Sequence, residues 1–289
     1  MQQKKLASAI RREAKKGKAV VLCSGGVDST VCAVLAKNAL GSKAVFYFID
    51  SGFQRKFEAQ KAEKNLEKLG ITLKIFNAGH CFSQLKKSRA NSVERRALSL
   101  AGFSRAVELI SKKEKCRAFI FGTTQDDLAA SGKQSGANKS GFTIIEPLKC
   151  LEKKQVRGLA EQLGIPKKII HAQHFPGPGL SLRVLGRLDG RNIALAQELH
   201  AFFEKKKNWL VGKKGDSIFF PFVIPANENG KKWVGIRALK QVNAETAILP
   251  ELRLEKLWLL AAGILDEFPS VGRVLLDISP KPPAKMEML

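Results

Sequence analysis

Short apolar runs alternate with longer amphipathic stretches over the first half of the chain. Runs without regular polar positions are typical of strands buried on both faces of a sheet. The predicted strands are Ala19–Cys23, Ala44–Ile49, Ile71–Phe76 and Ala118–Phe121. The stretches predicted as helices between them are Val27–Leu40, Gln54–Leu69 and Ala97–Lys113. Strand–helix alternation of this kind predicts parallel strands joined by right-handed crossovers, and therefore an α/β domain.

The carboxyl ends of such strands mark the expected ligand site. In parallel sheets, ligands bind beyond these ends, where the connecting loops meet. We therefore expect the loops after Cys23, Ile49 and Phe121 to face one site. Ahead of the first strand, Leu6 and Ile10 lie four residues apart among basic residues, which predicts a surface helix that covers the core.

The pattern changes after a predicted helix at Glu152–Leu163, which is followed by Gly164 and Pro166. Phe175–Leu180 reads FPGPGL, a rigid segment that cannot be helical. The elements predicted beyond it are helices near Arg191–Lys206 and Glu251–Phe268, and strands near Ser217–Ile224, Trp233–Leu239 and Val271–Ile278. We predict a first domain at residues 1–176 and a smaller α+β domain at residues 177–289.

Composition supports a globular protein of one or two domains. The chain has 289 residues, of which 44% are hydrophobic, and no apolar run is long enough to span a membrane. The charged N-terminus lacks the apolar core of a secretory signal. Five scattered cysteines without a close pair indicate a reducing compartment, so we expect a cytoplasmic protein with no membrane partner.

The charge of the chain is strongly positive. Lys and Arg number 50 against 26 Asp and Glu, which gives a net charge of +24. Such a chain attracts polyanions, but the basic residues form short scattered clusters, and one Tyr and three Trp offer few side chains for base stacking. Solvated basic faces and a working polyanion surface both remain open, and nucleic acid is not the expected partner.

The loop after the first strand has the composition of an anion site. Ser24-Gly25-Gly26-Val27-Asp28-Ser29 joins a buried strand to a helix. Two glycines allow close approach of a bulky anion, and the N–H groups and dipole of the helix start favour it. The hydroxyls of Ser24, Ser29 and Thr30 are further donors. A carboxylate suits such a site if a cation bridges it to phosphate, so Asp28 is a candidate Mg²⁺ ligand. In the alternative interpretation, Asp28 is only a favourable charge at a helix start.

SGGVDS resembles the pyrophosphate loop of the N-type ATP pyrophosphatases, which cleave ATP to AMP and pyrophosphate. Further segments, in matching order from about Val20 to the end, resemble the GMP synthetase family within that superfamily. These segments are Asp50–Arg55 with Glu58 (VDNGLLRxxE), Gly122–Asp127 with Ser131 (GTxxPDxxES), Glu146–Arg157 (VEPLKxLxKxEVR), Phe175–Gly186 (FPGPGLxxRVLG) and Asp277–Glu287 (DISxKPPATIE).

The resemblance implies a fold, a reaction and a set of residues. The fold is an ATP pyrophosphatase domain followed by a dimerisation domain. The reaction is ATP-dependent amination of xanthosine monophosphate (XMP) to GMP through an adenylyl-XMP intermediate. The residues implied for ATP or pyrophosphate are Ser24, Gly25, Gly26, Val27, Asp28, Ser29, Thr30, Asp50 and Gly122. Those implied for XMP are Arg55, Gly177, Pro178, Gly179, Lys281, Met286 and Glu287. Asp28 and Asp127 are implied as Mg²⁺ ligands, and Asp28 and Lys153 as the catalytic pair.

The chain also departs from the family pattern. The Arg and His that precede FPGPGL in the family are missing or shifted, since this chain has Ala172-Gln173-His174 there. The loop at Gly132–Ile145 is shorter than in the family and lacks histidine, and Glu245–Leu252 replaces a longer loop. No amidotransferase part is present, so ammonia is expected from a separate glutamine amidotransferase subunit or from solution. We expect a homodimer. Two alternatives stay open: a tRNA-modifying ATP pyrophosphatase, and an ATP-binding relative with weak or no turnover.

Overall fold

A computed structural model describes the chain at residues 2–15, 17–88, 91–127, 141–172, 175, 177–211, 217–228, 230–242, 246–285 and 288. The chain divides into two compact units. The first contains residues 1–52, 57–81 and 102–174, and the second contains residues 53–56, 82–101 and 175–289. The last change of unit along the chain falls between residues 174 and 175. The proposed boundary at 176/177 stays a prediction.

The first unit is built on a five-stranded parallel sheet in the order β3-β2-β1-β4-β5. The strands are β1 (Ala19–Leu22), β2 (Ala44–Asp50), β3 (Leu73–Asn77), β4 (Ala118–Ile120) and β5 (Thr143–Ile145). The predicted α/β class with a parallel sheet is therefore confirmed. The loop predicted at Gly132–Ile145 is wrong for its last three residues. Thr143–Ile145 forms strand β5, which pairs with β4.

Helices connect these strands. Before residue 171, the helices whose two ends lie among the described residues are α1 (Gln2–Glu13), α2 (Val27–Leu40), α3 (Glu58–Glu67), α4 (Ser83–Lys87), α5 (Ser92–Glu114), α6 (Lys153–Gln162) and α7 (Lys167–Ile170). The bounds predicted for α2 are confirmed. Helix α3 begins four residues later than predicted because Phe57, at φ 60°, is left-handed and cannot continue a helix backwards.

Strand β1 lies at the centre of the core and is buried along its whole length. Ala19 and Val21 pack into one apolar cluster, together with Ile10 of α1, whereas Val20 and Leu22 pack into a second. Neighbouring residues of a strand point to opposite faces, so the two clusters are the two sides of the sheet. The uninterrupted apolar run of β1 is explained by this burial on both faces.

The second unit contains a mixed four-stranded sheet, in which β6 and β8 flank β7 antiparallel and β9 pairs with β7 in parallel. Its elements after residue 175 are α8 (Gly190–Val211), β6 (Ser217–Glu228), β7 (Lys231–Gln241), β8 (Ala247–Ile248), α9 (Leu254–Glu267) and β9 (Val271–Asp277). The predicted α+β character is confirmed. The two-residue β8 was not predicted.

A buried arginine organises the start of this second unit. Arg95 is fully buried and donates hydrogen bonds to the carbonyls of Ser181, Val184 and Gly186. Burial lowers the pKa of its guanidinium to about 10. Because three carbonyls accept from one side chain, the segment after FPGPGL is fixed by a residue from a distant part of the sequence.

The cysteines of the chain are free thiols, and four of the five are buried. Burial raises the pKa of the Cys23 thiol far above its usual range, which agrees with a core residue rather than a nucleophile.

Within the described part of the chain, no helix has the length and apolar character needed to cross a membrane.

Glu114 gives the first unit a charge-dependent contribution to stability. Its side chain is 8% exposed and pairs with Lys18 and, at 2.8 Å, with Lys74, while Tyr47 donates to it at 2.6 Å. The Lys18, Lys74 and Tyr47 hydrogen bonds lower the Glu114 pKa to about 2. A carboxyl whose folded pKa is depressed stabilises the protein above its unfolded pKa and loses that contribution as pH falls.

We predict that Glu114→Gln lowers the free energy of unfolding by about 1–2 kcal/mol at pH 7, since both lysine partners are half exposed and screened. The difference from the parent should shrink between pH 4.5 and pH 2. Urea denaturation at a series of pH values measures it. Equal stability of both proteins at pH 7 would contradict the prediction.

Candidate functional site

The loop between β1 and α2, residues Ser24–Ser29, is called here the phosphate loop. Gly25 has φ +83°, and a Cβ at this position would lie 3.0 Å from Cβ of Ala62. The loop therefore requires glycine at this position both for its backbone conformation and for its packing on α3.

Hydroxyl groups close the phosphate loop on itself. The Ser24 and Ser29 hydroxyl oxygens are 3.1 Å apart, and both Ser29 and Thr30 donate to the carbonyl of Gly26, at 3.0 and 2.8 Å. Thr30 is 2% exposed, and the bond to Gly26 satisfies its hydroxyl within the loop. Its assignment to phosphate stays a prediction.

Gly26 leaves space at the start of α2. Among the described residues, apart from its chain neighbours, a Cβ there would meet the Ser24 hydroxyl alone, at an ordinary 3.6 Å, so their packing does not require glycine. The first N–H groups of a helix have no partner within the helix and favour an anion in front of them. The geometry of Gly26 and the N-terminus of α2 therefore suits a phosphate group.

One ammonium group joins two carboxylates beside the phosphate loop. Lys153 Nζ lies 2.6 Å from Asp28 Oδ2 and 3.4 Å from Asp127 Oδ2. Burial alone would lower the pKa of Lys153, but Asp28 and Asp127 outweigh it and raise that pKa. Lys153 is therefore cationic at neutral pH.

Asp127 is held by the loop that follows β4. Its Oδ2 accepts from the Thr124 backbone N–H at 3.0 Å and from the Thr124 hydroxyl at 2.7 Å. Burial alone would raise the pKa of Asp127, but these bonds and Lys153 outweigh it and lower that pKa. Two carboxylates against one ammonium leave a local negative charge.

Asp28 has an oxygen that the described residues do not satisfy. Its Oδ1 is buried and has no hydrogen-bond partner among them. A buried carboxylate oxygen is costly without a partner. Oxygen atoms of this kind are the ligands that Mg²⁺ prefers, so the residues present fit a divalent cation at Asp28, with Asp127 as the second carboxylate.

A further carboxylate, which the sequence reasoning did not single out, positions Lys153. Asp126 Oδ2 accepts the backbone N–H of Lys153 at 2.7 Å, at the start of α6. Glu152 and Gln155 form a capping box at the same helix start. These bonds fix where the Lys153 side chain begins. The only signal in the sequence was the pair of adjacent aspartates after β4.

The loops after β1 and β4 meet, as predicted for parallel strands. A Cβ on Gly122 would lie 2.9 Å from the backbone carbonyl carbon of Asp28 and the nitrogen of Ser29. Gly122 therefore permits direct packing of one loop on the other. Asp50, at the end of β2, accepts the Gly52 N–H at 2.9 Å and shapes its own turn.

The second unit contains the residues implied for XMP. The Arg55 guanidinium lies 4.5 Å above the Phe175 ring and 3.7 Å from Glu204. Gly179 has φ +63° and packs so closely on Phe53 that a Cβ would collide with its carbonyl oxygen. The Leu180 N–H donates to that same oxygen at 2.7 Å, so Arg55 and the FPGPGL segment are brought together.

The structure describes some of the remaining residues implied for XMP and leaves others out. Apart from its chain neighbours, no described residue lies within 4 Å of a Cβ built on Gly177, and the Pro178 carbonyl accepts from the Ser181 hydroxyl at 2.7 Å. Lys281 pairs with Ala247 through two backbone hydrogen bonds of 2.9 Å. Met286 and Glu287 lie outside the described residues, as do residues 128–140, which include most of the shortened loop.

Comparison with known proteins covers both units. The NAD synthase family profile matches residues 2–196, and the profile of the GMP synthase C terminal domain matches residues 226–288. The chain is 33% identical to a subunit of the glutamine-hydrolyzing GMP synthase of Methanopyrus kandleri, over 96% of this chain and 95% of that protein. The chain belongs to this family of GMP synthase subunits. The corresponding subunits of Methanocaldococcus jannaschii and Archaeoglobus fulgidus are 33% and 32% identical, each over 96% of this chain and 95% of their own length.

Among solved structures, the chain is similar to NMN synthetase from Francisella tularensis, with a TM-score of 0.49 and 19% identity over 71% of this chain and 84% of that one. Membership of the GMP synthase family therefore rests on the sequence relatives, which extend through both units.

An added methyl group should affect ligand binding at one glycine of this GMP synthase family member and stability at another. We predict that Gly26→Ala leaves the unfolding midpoint unchanged but weakens ATP binding at least tenfold, because its Cβ has room in the protein and occupies the anion space. Gly122→Ala should cost about 1–3 kcal/mol of stability, because its Cβ meets backbone atoms. Denaturant unfolding and calorimetry with an ATP analogue measure both effects. Equal destabilisation by the two substitutions would contradict this assignment.

Proposed function

We propose that this chain aminates XMP to GMP at the expense of ATP, which is cleaved to AMP and pyrophosphate. The full-length similarity to GMP synthase subunits carries the proposal, because a phosphate loop alone is compatible with other acceptors. The carbonyl oxygen at C2 of XMP attacks the α-phosphorus of ATP and releases pyrophosphate. Ammonia then adds at C2 and AMP departs.

The phosphate loop and Lys153 stabilise the pyrophosphate that leaves in the first step. The N–H groups at the start of α2 hold the β- and γ-phosphates, and the Ser24 and Ser29 hydroxyls join them by exchanging their bonds within the loop for bonds to phosphate. The Lys153 ammonium neutralises charge that builds as the bond to the α-phosphorus breaks, and donors fixed in advance make this efficient. Gly25, Val27 and Asp50 shape the surrounding backbone.

We propose Mg²⁺ as the cation of this site, with Asp28 and Asp127 as its protein ligands. The support is the buried Asp28 Oδ1, which lacks a partner among the described residues. When bound, Mg²⁺ would be held by these two carboxylates and would supply positive charge that offsets the charge of the phosphates. Lys153 pairs with both carboxylates and keeps them near each other.

The acceptor nucleotide is assigned to residues of the second unit. Arg55 and the backbone of Gly177, Pro178 and Gly179 provide cationic and close-approach groups for XMP. Lys281 supplies a point charge for its phosphate. Met286 and Glu287 complete the proposed set on the basis of the family motif alone.

Ammonia is proposed to come from a separate glutamine amidotransferase subunit. The relatives are named as one subunit of a glutamine-hydrolyzing enzyme. The isolated chain should therefore use ammonium but not glutamine.

We also propose a cytoplasmic location, which the free thiols at all five cysteines support.

An exposed apolar face of the second unit supports a homodimer. Leu254 and Trp258 on α9 are 80% and 70% exposed, and Ile278 after β9 is 66% exposed. Leu260 and Ile264, on the other side of the same helix, are buried. Large apolar side chains exposed together on one face of a helix are typical of interaction surfaces. A second copy of the chain is the occupant we propose, because Leu254 and Trp258 lie one turn apart on the side of α9 that is not packed on the unit.

The proposed activity is tested by incubating the chain with MgATP, XMP and ammonium, and measuring both pyrophosphate and GMP. We predict that Asp28→Asn lowers the rate by about 10²–10³-fold, as for the loss of a group that stabilises transition-state charge. Asp266→Asn, an exposed aspartate on α9, is the matched control and should retain full rate. Pyrophosphate release that depends on tRNA instead of XMP would sink the proposal.

The homodimer is tested by changing its apolar face. We predict that Trp258→Glu converts a dimer into a monomer, because association would bury the new charge. Val93→Glu, at a residue 67% exposed on α5, should leave the dimer intact. Sedimentation velocity at several concentrations distinguishes the two. A parent chain that is monomeric at all concentrations would rule out the dimer.

A further inference from the structure

One buried side chain closes the C-terminal segment 277–285 into a loop. Arg237 lies on β7 and is 1% exposed. Its Nη1 pairs with the Asp277 carboxylate, and its Nη2 donates to the Lys285 carbonyl at 2.7 Å. The two ends of the segment are therefore held by the same guanidinium group, here called the Arg237 clamp.

Sheet register places the first contact of the clamp. Strands β7 and β9 pair in parallel with Arg237 opposite Asp277. The Oδ1 atom of Asp277 accepts the Ser279 N–H at 2.9 Å, which turns the chain as it leaves the sheet. The same carboxylate therefore ends β9 and anchors the clamp.

The middle of the loop is fixed by backbone contacts. The Lys281 N–H donates to the Ala247 carbonyl and the Ala247 N–H donates to the Lys281 carbonyl, each at 2.9 Å. Pro280, Pro282 and Pro283 restrict φ on both sides of Lys281. Lys281 is thus presented from a loop whose ends and centre are both tied to the sheet.

We propose that Arg237 is a positioning residue for the acceptor nucleotide, acting through the loop that presents Lys281. The inference rests on the proposed function and adds to it a residue that touches neither substrate. Arginine suits the position because its planar fork can donate to a carboxylate and a carbonyl at once, whereas one lysine ammonium cannot span both in this geometry.

If the clamp positions the XMP site alone, its loss should change KM for XMP and leave KM for ATP nearly unchanged. Arg237→Lys retains the charge opposite Asp277 but gives up the second contact, so the end of the loop is released. We expect KM for XMP to rise about tenfold or more, while KM for ATP stays within about twofold. Asp277→Asn should shift KM for XMP in the same direction, and the double variant should fall short of the product of the two effects, because both residues act through one contact.

A destabilising control separates positioning from folding. Leu239 lies on the same strand and is 1% exposed. Leu239→Ala should lower the denaturation midpoint at least as much as Arg237→Lys, yet leave KM for XMP near that of the parent. A rise in KM for XMP in both variants would mean that Arg237 acts only on stability, which overturns the proposal.

Amide exchange tests the clamp without any turnover. In Arg237→Lys we expect the Lys281 amide to exchange about tenfold faster, with the amides of the β6–β7 pair unchanged. If the parent chain fails to release pyrophosphate with XMP, the proposed function is wrong, and the exchange rate at Lys281 still decides whether Arg237 fixes the loop. Unchanged exchange at Lys281 together with unchanged KM for XMP refutes the inference.

Discussion

The ion cluster of Asp28, Lys153 and Asp127 is the interaction that holds the candidate site of the first unit together. Its members come from three separate segments: Asp28 from the first turn of α2, Asp127 from the segment after β4, and Lys153 from the start of α6. Asp28 and Lys153 are 125 residues apart in sequence. The parallel sheet, with β4 beside β1, brings the first two of these segments to one edge. The fold therefore has to form correctly before Lys153 can pair with either carboxylate, and the charge balance of the site depends on all three residues.

Much of this architecture was predictable because the local signals agreed. Helix α2 lies between a glycine-containing turn and Gly41, and its predicted bounds match the structure. The buried strands also followed from their apolar runs. Strand β8 was missed because two residues are too short to show a periodic pattern. Strand β5 was missed because its three residues were assigned to a loop of the family motif, and its pairing with β4 depends on neighbours distant in sequence.

The residues that support the site were harder to find than those of the motifs themselves. Asp126 was missed because its partner is a backbone N–H on another helix. Arg95 and Arg237 were missed for a related reason: their acceptors include main-chain carbonyls, which exist at every position and leave no sequence signature. Sequence reasoning identifies groups with distinctive chemistry, whereas groups that hold the backbone in place emerge only from coordinates.

The contact at Gly122 has a consequence for how this site can move. Because the backbones of the β4 loop and of the first turn of α2 touch directly there, they cannot slide past one another without a steric clash. The phosphate loop, Asp28 and the start of the segment that carries Asp127 are thus packed directly on one another. A displacement of the β4 loop would therefore also displace the first turn of α2, so the position of Asp127 is coupled to that of Asp28 by backbone packing as well as by Lys153.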